Sequence, residues 1–81
     1  MTHHSVLWDA IQRILRRDQW MELSEIYDRV ASLVQLDDED FQPQSPTSNI
    51  PKWKRNVRNV LQYRKRTREV LWNGKAAYRL P

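Results

Sequence analysis

The stretch Ile50–Arg66, IPKWKRNVRNVLQYRKR, decides how this chain is read. At about 100° per residue, Ile50, Trp53, Val57, Val60, Leu61 and Arg64 fall on one side of a helix. Lys52, Arg55, Arg58, Asn59, Gln62 and Arg66 fall on the other. Ser48 or Asn49 can cap the start, and Pro51 suits the first helical position, where no N–H is needed. No carboxylate occurs from Lys52 to Arg68. The spacing predicts an amphipathic helix with one apolar side and one basic, amide-bearing side.

Downstream, Glu69-Val70-Leu71-Trp72 and Lys75-Ala76-Ala77-Tyr78-Arg79-Leu80 flank Asn73-Gly74, which contains the only glycine. Asn-Gly is the preferred two-residue hairpin connection, because both positions need positive φ. Such a turn sets Trp72 opposite Lys75, on the face away from Tyr78 and Leu80. Trp72 is then either a partly exposed contact surface or a cover over the helix.

Upstream, Val6, Leu7, Ala10, Ile11, Ile14 and Leu15 predict a helix over Ser5–Arg17, capped by Ser5, with Arg13, Arg16 and Arg17 at its C-terminal end. Trp20-Met21-Glu22-Leu23 alternates and predicts a brief strand. Ser24 can cap a second helix, with Ile26, Tyr27, Val30, Leu33 and Val34 on its buried face and an end near Val34–Leu36. Residues 35–49 contain Pro43, Pro46 and the acidic run Asp37–Asp40, and predict a solvated loop that should project away from any polyanion. His3 and His4 are expected to belong to a disordered start.

The resulting order is helix, strand, helix, loop, helix, hairpin. That is the order of a winged helix–turn–helix: an α+β domain of three helices with a C-terminal β-hairpin wing. At 81 residues the chain has room for one such domain, 1–81. It has no cysteine, so neither disulfides nor a zinc-thiolate site is expected. No nucleophile–base pair, phosphate loop or metal-spaced carboxylate set occurs, so no enzyme, metal or cofactor is expected. With no membrane-length apolar run, the expected location is cytoplasmic.

Charge is divided along the chain. Residues 1–48 hold four basic and nine acidic side chains, a net of −5. Residues 49–81 hold ten basic and one acidic, a net of +9. A split of this kind points to a polyanion partner for the second half, and a helix of this size fits the major groove of duplex DNA. Arg can pair with guanine, and Asn or Gln with adenine, so Arg55, Asn59 and Gln62 are the best base-reading set, with Asn56 at its edge. Lys52, Lys54, Arg58, Lys65, Arg66 and Arg68 are better suited to phosphate, which gives affinity without sequence information. Asn73 and Lys75 of the wing are candidates for backbone contact. Trp53 belongs to the apolar side and is expected in the core, whereas Trp20 is open to either role.

Trp53-Lys54, Val57-Arg58, Leu61-Gln62, Glu69-Val70, Trp72, Gly74 and Tyr78-Arg79 resemble the C-terminal winged helix of the DpnI family of adenine-methyl-dependent restriction endonucleases. The resemblance implies a reader of duplex DNA carrying N6-methyladenine, with Lys54, Arg58 and Gln62 at the matching helix positions. The nuclease residues are not in this chain, so cutting would need a fused or associated nuclease domain. Two other functions fit the same pattern: a transcription regulator binding an unmodified operator, and a protein-interaction winged helix.

Overall fold

The computed structural model describes residues 1–81. Helix α1 spans His4–Ile14, strand β1 Met21–Glu22, helix α2 Leu23–Leu33, helix α3 Lys52–Arg66, strand β2 Leu71–Trp72 and strand β3 Ala77–Arg79. The strands form one antiparallel sheet in the order β1-β3-β2. The fold is α+β, with the three helices and C-terminal hairpin of a winged helix. No helix is long and apolar enough to cross a membrane.

A single core joins all three helices to the sheet. Leu7, Trp8 and Ile11 of α1 meet Ile26 and Val30 of α2, and Trp53, Val57, Val60 and Leu61 of α3. Met21, Val70 and Tyr78 close it from the sheet side. The 3.6-residue apolar period of α3 therefore packs as its spacing predicts, except that Ile50 lies before the helix and is exposed. Val6 and Leu33, expected on buried faces, are also exposed.

The element ends depart from the sequence signals, and hydrogen bonds, most of them tertiary, accompany the changes. Helix α1 stops at Ile14, not Arg17, because Leu15 turns extended and buries its side chain. The Arg16 carbonyl then accepts the Leu80 N–H at 2.8 Å, and the Arg17 carbonyl accepts Arg79 Nη1 at 2.7 Å. Its N-cap is His3 rather than Ser5: His3 Nδ1 accepts the Ser5 N–H at 3.2 Å. Helix α2 begins at Leu23 straight from β1, and the Leu23 N–H goes to the Ala76 carbonyl at 2.7 Å, so no Ser24 cap is needed.

Neither Ser48 nor Asn49 caps α3. Its leading N–H groups are taken by loop carbonyls, Lys52 N to Gln42 O at 2.8 Å and Trp53 N to Asp40 O at 3.0 Å, and Pro51 is the N-cap. At the other end Arg68 adopts φ 62°. The Glu69 N–H reaches Arg64 O at 2.9 Å and the Arg68 N–H reaches Lys65 O at 3.1 Å, which is a Schellman closure.

The acidic run is not wholly solvated. Asp40 is fully buried. Its carboxylate accepts Thr2 Oγ1 at 2.6 Å, Thr2 N at 2.9 Å and Asp37 N at 3.0 Å. Burial is the largest influence on this carboxyl and works to raise its pKa. The Thr2 and Asp37 hydrogen bonds, with the nearby N-terminal ammonium, outweigh it and hold the carboxyl below its ordinary value. Thr2 is thereby tied to the loop, so the chain start is ordered rather than disordered.

The hairpin also differs from the two-residue turn. Leu71 pairs with Arg79 and Trp72 with Tyr78, so the connection between the strands is the four residues Asn73–Ala76. Asn73 Oδ1 accepts the N–H groups of Lys75 at 2.8 Å and Ala77 at 3.2 Å, holding the longer loop, and only Gly74 has positive φ there, at 85°. Trp72 consequently shares a sheet face with Tyr78.

Candidate nucleic-acid interface

Helix α3 presents three strips of polar side chain. The outermost holds Arg55, Asn59 and Arg66, all exposed and with no hydrogen bond or ion pair to the rest of the chain. Arg55 and Asn59 are thus free to donate outward, as base reading requires.

A second strip faces α2 and the hairpin. Lys54 lies over the rings of Tyr27 and Trp53, 5.2 and 5.7 Å from their centroids. Burial pushes the phenols of Tyr27 and Tyr78 above the ordinary tyrosine pKa, and the positive charge of Arg58 opposes that shift at both. Arg58 is therefore electrostatically close to both phenols while remaining exposed itself. Gln62 is half-buried, and its Nε2 points at the Tyr78 hydroxyl at 3.5 Å. Lys65 sits 4.3 Å from the centroid of Trp72, whose Nε1 donates to the Lys75 carbonyl at 2.7 Å. That bond fixes the indole, which stays 41% exposed and extends the α3 surface onto the wing.

The third strip, Asn56, Asn59 and Tyr63, borders the start of α1 across a hollow of about 600 Å³. Asn56 donates to Met1 Sδ at 3.4 Å, a weak bond. Tyr63 is 61% exposed.

Two further sequence candidates have intramolecular work. Lys52 approaches Glu39 at 4.0 Å, beside the acidic loop. Asn73 uses its side-chain oxygen to hold the wing loop, so only its amide nitrogen faces outward. The Lys75 side chain is free on the exposed wing. Tyr27 and Tyr63 escaped the sequence reading. Tyr27 reads as one more apolar residue of α2, and only its closeness in space to Lys54 and Arg58 marks it out. Tyr63 stands four residues after Asn59, a spacing that places both on one side of a helix.

Of the ten basic residues between positions 49 and 81, only Lys52 and Arg64 meet a carboxylate. The other eight are not neutralised within the fold. Comparison with protein-family models, with curated proteins and with solved structures gives no match to this chain. The winged-helix fold and the charge of α3 are the observations on which function rests.

Proposed function

We propose that the domain is a duplex DNA-binding module, with α3 in the major groove and the hairpin along the neighbouring backbone. One observation carries the reading: eight cations without a carboxylate partner are gathered on α3, the turn after it and the hairpin, beside the unengaged Asn59 amide. Phosphate is the ligand that such an array neutralises, and the winged helix supplies a helix of groove-filling size. Arg55, Asn59 and Gln62 are assigned to base edges. Lys54, Arg58, Lys65, Arg66, Arg68 and Lys75 are assigned to phosphates. Catalysis has no part in this reading.

The finer reading is that the duplex carries N6-methyladenine and that the module serves a nuclease domain. Its support is the resemblance at Lys54, Arg58 and Gln62, together with the aromatic surroundings of Gln62: a methyl group in the groove needs apolar surface beside a base-reading amide, and Tyr78 and the exposed Trp72 lie on that side.

Titration of matched duplexes, unmodified, N6-methyladenine and 5-methylcytosine, at two salt concentrations tests both levels. DNA binding predicts an affinity that falls steeply as salt rises, with a log–log slope of about −0.9 per phosphate contact. Salt-independent or undetectable binding overturns it. Preference for the N6-methyladenine duplex supports the finer reading. Equal affinity for all three removes it and leaves a regulator of an unmodified operator.

A further inference from the structure

The hollow beside α3 has a composition of its own. Thr2, His3 and His4 line one side, and Asn56, Asn59 and Tyr63 line the other. Its volume, about 600 Å³, is that of a small-molecule site. No carboxylate is among its lining residues. Two primary amides, each with a donor and an acceptor, stand three residues apart on one helix. The Tyr63 ring is exposed beside them. The imidazoles of His3 and His4 lie 4.3 Å apart between centroids. Arg64 borders the hollow as well, and it holds Glu69 through Nη1 alone, leaving its other donors free.

Planar rings for stacking, paired amides for a donor–acceptor edge and the unused N–H donors of Arg64 suit a ligand that is flat, edge-polar and phosphate-bearing. We propose that this hollow binds a single nucleotide. Its base stacks on Tyr63, its edge is read by Asn56 and Asn59, and its phosphate lies towards Arg64 and the imidazoles. The nucleotide has two possible sources. It is either free in solution, or an unpaired nucleotide of the strand lying on α3, because Asn59 belongs both to the outer strip and to the hollow. The first source is independent of DNA binding, and the second rests on it.

The experiment has two arms. Adenosine monophosphate is titrated into the domain while the Asn56 and Asn59 side-chain amides and the Tyr63 ring are followed by NMR. In parallel, a duplex with one bulged adenosine is compared with its fully paired counterpart. The expected result is saturable shifts at these three residues, or binding of the bulged duplex about tenfold tighter than the paired one. Tyr63→Ala should weaken that binding about tenfold and leave paired-duplex affinity and the thermal melt unchanged, since Tyr63 is exposed. Shifts with the free nucleotide alone assign the first source, and a bulge preference alone assigns the second. Shifts without any duplex binding keep this site and remove the DNA reading. Absence of both shifts and bulge preference overturns the site, as does a Tyr63→Ala loss equal for bulged and paired duplexes.

Discussion

Asp40 is the one buried charged residue of the fold, and it is fully hydrogen-bonded. Its carboxylate gathers Thr2 and Asp37, and its carbonyl receives the Trp53 N–H, so one residue joins the chain start, the loop and the head of α3. Replacing it by Ala strands the Thr2 and Asp37 donors, and Asp40→Ala should cost about 1–3 kcal/mol, read as a lower Tm. The pH dependence has a definite sign. The folded pKa is lowered, so the contribution is whole above the unfolded carboxyl value of about 3.9 and is lost as pH falls through the folded one. The gap between wild-type and Asp40→Ala melts should therefore narrow in acid; an equal gap at neutral and acid pH would show that the charge is immaterial. Arg68 is the converse case. Its φ of 62° suits glycine, and Arg68→Gly should raise stability by about 0.5–1 kcal/mol in a denaturant titration. Neither residue stands out in the sequence. An acid in an acid-rich loop reads as solvated, and what buries this one is a threonine 38 residues away. The left-handed turn is imposed by the Schellman bonds, which a non-glycine residue accepts at a cost.

At the scale of elements, α3 was legible almost to the residue, because apolar period and charge agree along its length. Its core side, Trp53, Val57, Val60 and Leu61, is buried as expected. Its start was not legible, because backbone carbonyls from the loop replace a side-chain cap. The hairpin was legible as a hairpin but not in register. Asn73 acts through its side chain, which accepts two N–H groups and stabilises a wider loop than the Asn-Gly pair suggests. Asn73→Ala should loosen that loop, costing about 1 kcal/mol and speeding amide exchange at Lys75 and Ala77. Unchanged exchange there would refute the anchoring role. On α3 itself, Arg58→Ala should weaken DNA binding for every sequence and reduce the salt slope by about one. Asn59→Ala should instead cost about 1–3 kcal/mol at one base position only. If neither variant changes affinity, α3 is not the reading helix.

The molecule as a whole keeps its charges apart. The acidic half supplies α1, α2 and the loop, and the basic half supplies α3 and the hairpin, yet one core of thirteen residues holds the two together. A domain this small has little stability in reserve. Leu61→Ala, at a position with no exposure, should cost about 2–5 kcal/mol and leave much of the population unfolded near body temperature, seen by circular dichroism. The fold class and the charge division were legible because they are sums over many residues. The hollow beside α3 was not, because it forms where residues 2–4 and 56–63 meet, and only the folded chain brings them together.

The carbonyls that close the head of α3 have a consequence for how a duplex would be gripped on the proposed reading. Many helices offer a phosphate their open N-terminal amides, but here those amides are spent on Gln42 and Asp40, with Glu39 close by. On the proposed reading, that tip has no free Lys52 or Trp53 amide with which to seat a strand. In the proposed complex most phosphate contacts then fall to the middle and far end of the helix, where Arg58, Lys65, Arg66 and Arg68 stand, with Lys54 alone among them near its head. The protected footprint on a long duplex should accordingly be lopsided, extending further beyond the wing side than beyond the acidic loop.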